Sequence, residues 1–173
     1  MSTLIVDTVQ TDTIEDEAGN FEHARLVQVV NATYNTYDTT TSTIPLDNTI
    51  PQKTEGEEFL TATITPKNTN NTLIVQYQSP VGMNSSSGPF MVAMFQDTTA
   101  NAIAVSATAE NSGDYSQTNH CTYIKSGSIG TSATTFKMRD GSDGGTTAIN
   151  GTSSAQLFNG CPTATLTIWE IRA

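Results

Sequence analysis

The chain has 173 residues, 36% of them hydrophobic and only 14% charged, and its 17 acids against 7 bases give a net charge of −10. Neutralising phosphates needs clustered Lys and Arg, so this balance argues against nucleic acid and against an anionic membrane surface as partner. The length fits one domain with a short appendage, and a domain of this size buries roughly 70% of its unfolded surface without a disulfide or a metal. Much of the remaining composition is Thr, Ser, Asn, Gln and Gly, which suits strands with polar outer faces and many turns. No window carries the i, i+3, i+4, i+7 stripe of an amphipathic helix.

Residues 1–22 differ from the rest. Met1 to Asp7 has no basic n-region and no long apolar run, so neither a signal peptide nor membrane insertion is expected. Leu4-Ile5-Val6 reads as one short strand and Val9 and Ile14 as isolated apolar points, with Leu4, Val6, Val9 and Ile14 the expected anchoring residues, followed by the acidic turn Glu15-Asp16-Glu17-Ala18-Gly19-Asn20. That is too little to build a core, so the segment is expected to be an extended attachment arm, ordered by packing on another copy or another protein. The domain proper is expected over residues 23–173.

Leu26 to Tyr34 reads as the first strand, and Asn35 to Ser42 as a loop or irregular edge. Ile44 to Pro51 holds Pro45 and Pro51, which makes it an edge strand or a crossing connection. In Glu58 to Gln78, Leu60, Ala62 and Ile64 alternate with threonines, and Leu73, Val75 and Tyr77 alternate with Ile74, Gln76 and Gln78. With Pro66 to Asn71 as turn chemistry between them, this stretch is expected to be a hairpin. Ser79 to Gly88 reads as a loop.

Phe90, Met91, Val92, Ala93, Met94 and Phe95 are apolar on both parities. A strand in a two-layer sandwich needs only one apolar face, so a neighbouring subunit is expected over the other. Ala102 to Val105 is a smaller case. Asn119 to Lys125, Thr134 to Arg139 and Thr146 to Asn150 read as further strands. The closing run, Ala164 to Ile171, sets Trp169 and Ile171 opposite Leu166 and Ile168, so it too is expected to be covered on both sides. Phe90, Met91, Val92, Met94, Phe95, Trp169 and Ile171 are therefore the expected core or trimer-interface residues. Turn signals at roughly 8–12 residue spacing indicate a sandwich or barrel, and about eight to ten strands on one core are what a jelly roll requires.

Catalytic grammar is sparse. The only histidines are His23 and His120. His120 adjoins Cys121 on a strand, where neighbours point to opposite faces and form no dyad. No Gly-x-Ser-x-Gly elbow and no phosphate-cradling loop with a Lys occur. Asp140 and Asp143 lie in Arg139-Asp-Gly-Ser-Asp-Gly-Gly145, which reads as a turn; it misses the calcium-loop spacing and its closing Glu. Cys121 and Cys161 fit no metal pattern and are expected to be free thiols. No catalytic residue, cofactor or metal is expected, and the sequons at Asn31, Asn70, Asn84 and Asn150 read as loop chemistry. Contacts to a host surface are expected from loops, with Asn84, Ser86, Tyr115, Asp140 and Asp143 as the candidate receptor-loop residues. A sugar site would draw on Tyr34, Tyr37 and Tyr115 with Asn111, Asp114 and Gln117, although a tyrosine in a β protein is more often a half-buried strand residue.

The opening Met1-Ser-Thr-Leu-Ile-Val-Asp-Thr-Val-Gln10, with Gly19 in the following turn, resembles the start of marine phage tail-fibre-like proteins. The body is similar to the β-rich C-terminal module of phage and prophage fibre proteins. That similarity is carried by Ile44 to Gln52, Gly56 to Pro66, Phe95 to Ala102, Thr135 to Arg139 and Thr165 to Ile171. The resemblance implies an all-β fold: a homotrimeric jelly-roll β-sandwich, in outline like tumour-necrosis-factor or C1q heads. It implies display on the exterior of a virion after synthesis in the host cytoplasm. The expected partners are two further copies, another virion protein through the arm, and a host-surface glycan or protein. The resemblance transfers no catalytic residue. Tail fibre and capsid decoration both remain open, and a surface-polysaccharide hydrolase is the third reading, weakened by short loops and the lack of a carboxylate pair.

Overall fold

The computed structural model describes residues 14–15, 21–22, 26–83, 88–108 and 116–173. Leu4, Val6, Val9, His23, Asn84, Ser86, Asn111, Asp114 and Tyr115, singled out above, lie outside the described residues. The strands are β1 (Ile14–Glu15), β2 (Phe21–Glu22), β3 (Leu26–Tyr34), β4 (Asp38–Thr40), β5 (Glu57–Ile64) and β6 (Thr72–Met83), followed by β7 (Phe90–Gln96), β8 (Ala104–Thr108), β9 (Ser116–Ser126), β10 (Thr134–Ser142), β11 (Thr147–Ile149) and β12 (Ala164–Ile171). Among the described residues there is no α-helix; one 3₁₀ turn covers Phe158–Gly160. The chain is an all-β sandwich.

One sheet runs β5-β10-β7-β8 and the other β3-β12-β6, with β9 on the far edge of β6 and β11 and β4 continuing past the end of β12. Within the expected arm, Ile14 and Glu15 pair antiparallel with Glu22 and Phe21. Between the two sheets lies one core, filled by the odd positions of β6 (Leu73, Val75, Tyr77, Val81), by Leu166 and Ile168 of β12, and by Leu60, Ala62, Ile64, Phe90, Val92, Met94, Phe136 and Met138 of the facing sheet. The period-2 alternation in the sequence is therefore the alternation between this core and the two outer faces.

Three sequence expectations are corrected here. Glu58 to Gln78 is not a hairpin: β5 pairs with β10, whereas β6 pairs with β9, β11 and β12. Alternation fixes which face of a strand is buried, and two strands facing one core from opposite sheets have the same pattern as two paired strands. Residues 65–71 are thus a crossover between sheets. It is held by the buried Glu170 carboxylate, which accepts from the backbone N–H of Lys67 (2.8 Å) and Asn68 (3.3 Å) and from Asn71 Nδ2 (2.6 Å).

The second correction concerns residues 79–83, expected as loop, which continue β6. Pro80 is tolerated because its carbonyl, accepting from Asn150 N at 2.7 Å, faces the junction between β12 and β11. The missing N–H points to that same edge, where the partner strand is interrupted.

The third concerns β7. Phe90, Val92 and Met94 face the main core, and the opposite parity, Met91, Ala93 and Phe95, forms a second small cluster with Ile44. The cover is the chain's own 44–51 connection and Ala102, so the doubly apolar pattern of β7 calls for no neighbouring subunit. Phe95 is only 2% exposed in the single chain.

Candidate functional site

The sandwich presents its most unusual surface on the outer face of the larger sheet. Register places Val29 opposite Trp169, Trp169 opposite Ile74 and Ile74 opposite Ile124, so one apolar row crosses β3, β12, β6 and β9. With strands about 4.8 Å apart, the row spans roughly 14 Å. Val29 is 46% and Ile124 59% exposed, while Trp169 and Ile74 are half-buried by their neighbours. The next rows are Asn31, Thr167, Gln76 and Thr122, then Thr33, Thr165, Gln78 and His120. His120 is the one ionisable side chain in these three rows. In a chain with a net charge of −10, three rows of a four-strand face that hold no acid and only His120 as an ionisable group are the place where like-charged copies approach at least cost.

The sequence-predicted residues scatter over three environments. Phe90, Val92 and Met94 are inner core; Met91 and Phe95 lie under Ile44; Trp169 and Ile171 belong to the outer face just described. Trp169 is therefore not covered on both sides within the chain. Of the loop candidates, Asp143 is exposed and its Oδ1 accepts from Leu46 N at 3.0 Å, tying the 140s turn to the crossing connection. Asp140 is no loop residue. It shares the parity of Phe136 and Met138 in β10 and is fully buried.

Asp140 Oδ2 accepts from Tyr77 Oη (2.7 Å) and Ser79 Oγ (3.3 Å), and its Oδ1 has no hydrogen-bond partner. Burial pushes this carboxyl up to about 7, with the Tyr77 and Ser79 donations pulling in the other direction. Burial, and then the Asp140 charge, push the Cys121 thiol up to about 11, which makes it a poor nucleophile at neutral pH. His120 and Cys121 point to opposite faces, as strand adjacency requires. Both cysteines are free thiols, Cys121 buried and Cys161 exposed. Among the described residues no group of three His, Cys, Asp or Glu side chains is placed to hold a metal.

Two concavities lie on the outer side of the smaller sheet. One is an apolar groove of about 430 Å³ between the 44–51 connection and β8, lined in part by Leu46, Ile50 and Val105. The other, about 140 Å³, sits over Phe95 and gathers Lys53, Lys137 and Arg139 with Glu58 and Asp97. Neither was legible in the sequence as a site, because Lys53 and Lys137 come together only through the 97–101 turn and the β7–β10 register.

No protein-family model and no curated protein matches the chain. Among solved structures it is similar to dimeric latent PorU from Porphyromonas gingivalis (TM-score 0.43, 8% identity, 92% of this chain, 14% of that one). It is also similar to the EclA C-terminal domain, a sugar-binding protein (TM-score 0.32, 13% identity, 79% of this chain, 84% of that one). A third is infectious bursal disease virus Gx strain (TM-score 0.40, 11% identity, 95% of this chain, 42% of that one). The chain thus spans about a seventh of the PorU chain. At TM-scores below 0.5 these likenesses decide neither a family nor an activity.

Proposed function

We propose that the chain is a phage virion structural protein whose sandwich is a jelly-roll head, displayed as a homotrimer for attachment to a host surface and anchored through residues 1–22. The observation that carries the assembly is the uncharged apolar row Val29–Trp169–Ile74–Ile124, which buries against copies of itself without desolvating a charge. Eight long strands in the orders β3-β12-β6-β9 and β5-β10-β7-β8, in which β3 and β5, then β5 and β6, then β6 and β7 lie in opposite sheets, support the jelly roll. The number three and the virion setting come from the resemblance of the opening and closing segments to phage fibre proteins. Function is then display: three weak sites on one rigid head gain avidity from their linkage.

The test is gold-tagged antibody against the chain on intact phage particles purified from a lysate that contains it, viewed by electron microscopy. Label at the tail supports attachment. Label over the head moves the function to capsid decoration, with the arm as the binding element. Unlabelled intact particles overturn the virion reading. Released reducing ends from host glycan would instead make the protein a hydrolase.

A further inference from the structure

The pocket above Phe95 collects three of the chain's seven bases and only two of its seventeen acids. Register sets Lys137 of β10 beside Phe95 of β7, and the backbone N–H of Lys53 donates to Ala100 O at 2.8 Å, which brings the crossing connection against the 97–101 turn. The two carboxylates are already engaged. Asp97 accepts from Thr135 N (2.7 Å, Oδ1) and Thr134 Oγ1 (3.0 Å, Oδ2). Glu58 is shared between Lys137 at 3.8 Å and Arg139 at 3.5 Å.

The cations are less evenly matched. Arg139 spends its fork on two neutral carbonyls, Nε to Glu55 O (2.7 Å) and a terminal nitrogen to Gly56 O (2.8 Å). Those bonds fix the guanidinium as a wall, with the Glu58 carboxylate that it shares with Lys137 as its ionic partner. Lys53 Nζ donates to one carbonyl, Thr98 O at 3.3 Å, and no carboxylate lies within salt-bridge distance of it among the described residues. The site therefore holds one positive charge in excess, on a protein that is otherwise strongly acidic. Its volume, about 140 Å³, is close to the roughly 150 Å³ of an enclosed apolar cavity that takes benzene, so a single six-membered ring is the largest body that this open pocket seats.

We propose that this pocket binds a singly charged anionic sugar, a six-membered ring bearing one carboxylate or one sulfate, held between the ammonium groups of Lys53 and Lys137. A lone sugar ring fills the volume, and a single negative charge matches the local excess. A multiply charged polyanion would meet the −10 field of the rest of the chain. The inference deepens the attachment reading by naming its ligand class. It rests on that reading only for its biological setting, because the purified chain binds or does not bind a free sugar wherever it is displayed.

The test is titration of the purified full-length chain with glucuronic acid, glucose 6-sulfate, glucose and acetate, followed by chemical-shift changes at Lys53, Thr98 and Lys137. Saturable binding of either acid, with glucose and acetate about tenfold weaker or more, is the expected result, and the stronger of the two acids names the head group. K53Q/K137Q lowers that affinity by about tenfold with an unchanged unfolding transition, since both ammonium groups reach solvent. Thr98→Glu, an exposed rim residue, weakens it independently by adding a repelling charge. The proposal is overturned if neither acid saturates, if glucose or acetate binds as tightly as the acids, or if K53Q/K137Q and Thr98→Glu both bind like the parent chain.

Discussion

Tyr77 Oη donates to Asp140 Oδ2 at 2.7 Å, a hydrogen bond that crosses the core from the central strand β6 of one sheet to β10 of the other. Both groups are buried, and burial pushes the Tyr77 hydroxyl well above its ordinary range, so Tyr77 remains the donor across the physiological range. The Asp140 carboxyl, raised to about 7, is the member of the pair that changes state.

Stability is expected to depend on that change. The folded chain keeps the Asp140 proton up to about pH 7, whereas an unfolded Asp releases it near pH 4. Between those values the folded state binds more protons, so this contribution is complete below about pH 4 and is lost as pH rises to 7. From pH 5 to 8 the parent chain is expected to lose on the order of 3 kcal/mol by urea denaturation. Asp140→Asn, which cannot ionise, flattens most of that slope. Parallel slopes in the two proteins would show that Asp140 is not the titrating group.

How far the sequence revealed this arrangement varies by residue. The parity of Leu60, Ala62, Ile64, Leu73, Val75 and Tyr77 identified core positions correctly, since a strand's own alternation reports its buried face. The same parity ran on to Asp140, but Gly141 and Gly144 beside it suggested a turn, and only the pairing of Gly141 with Met91 extends β10 through it. Partner identity was the part the sequence did not carry: β5 and β6 read as a hairpin because alternation is silent about which sheet a strand joins. The cover over Met91 and Phe95 was hidden for a related reason. Ile44, Leu46 and Ile50 stand in a segment broken by Pro45 and Pro51, which does not read as a regular strand and so does not show where Ile44 docks.

Glu170 is the next test. Burial by itself raises this carboxyl, but donations from Asn71 and Gln28 and from the backbone of Lys67 and Asn68 outweigh it and hold the group below the usual carboxylate range. Its contribution is present above the ordinary carboxylate pKa and is lost as pH falls through the lowered value. Glu170→Gln replaces an acceptor by a donor facing donors, and is expected to cost about 3 kcal/mol at pH 7. The 65–71 crossover should then show faster amide exchange than β6 or β12. A loss below about 0.5 kcal/mol would mean that the crossover is held by its own turn chemistry.

Ile44 tests the intramolecular cover of β7. It is 1% exposed over Met91, Ala93 and Phe95, and a Cβ placed on Gly56 (φ +65°) would sit 2.9 Å from its Cδ1. Ile44→Ala is expected to destabilise the isolated chain by about 3 kcal/mol through the cavity it leaves. If a neighbouring subunit supplied the cover instead, the loss would scale with protein concentration; here it should not.

Association is tested on the other sheet. Phe95→Asp is uninformative about assembly, since Phe95 is buried within its own chain and the substitution would place a charge in a packed cluster. Ile124 is 59% exposed on the uncharged face, so Ile124→Asp should leave the monomer's stability within about 0.5 kcal/mol. The same change puts a negative charge at the β9 end of the proposed interface row, opposite Ile74 and two strands from Trp169. Sedimentation velocity is expected to find the parent chain as a trimer and Ile124→Asp as a monomer with an unaltered circular dichroism spectrum. Trp169→Asp should give the same dissociation at some cost in stability, because Trp169 is half-buried by its own sheet. Trimers persisting in both variants would remove the larger sheet's outer face from the interface, leaving the apolar groove beside β8 as the surface on which to repeat the experiment, with Val105→Asp.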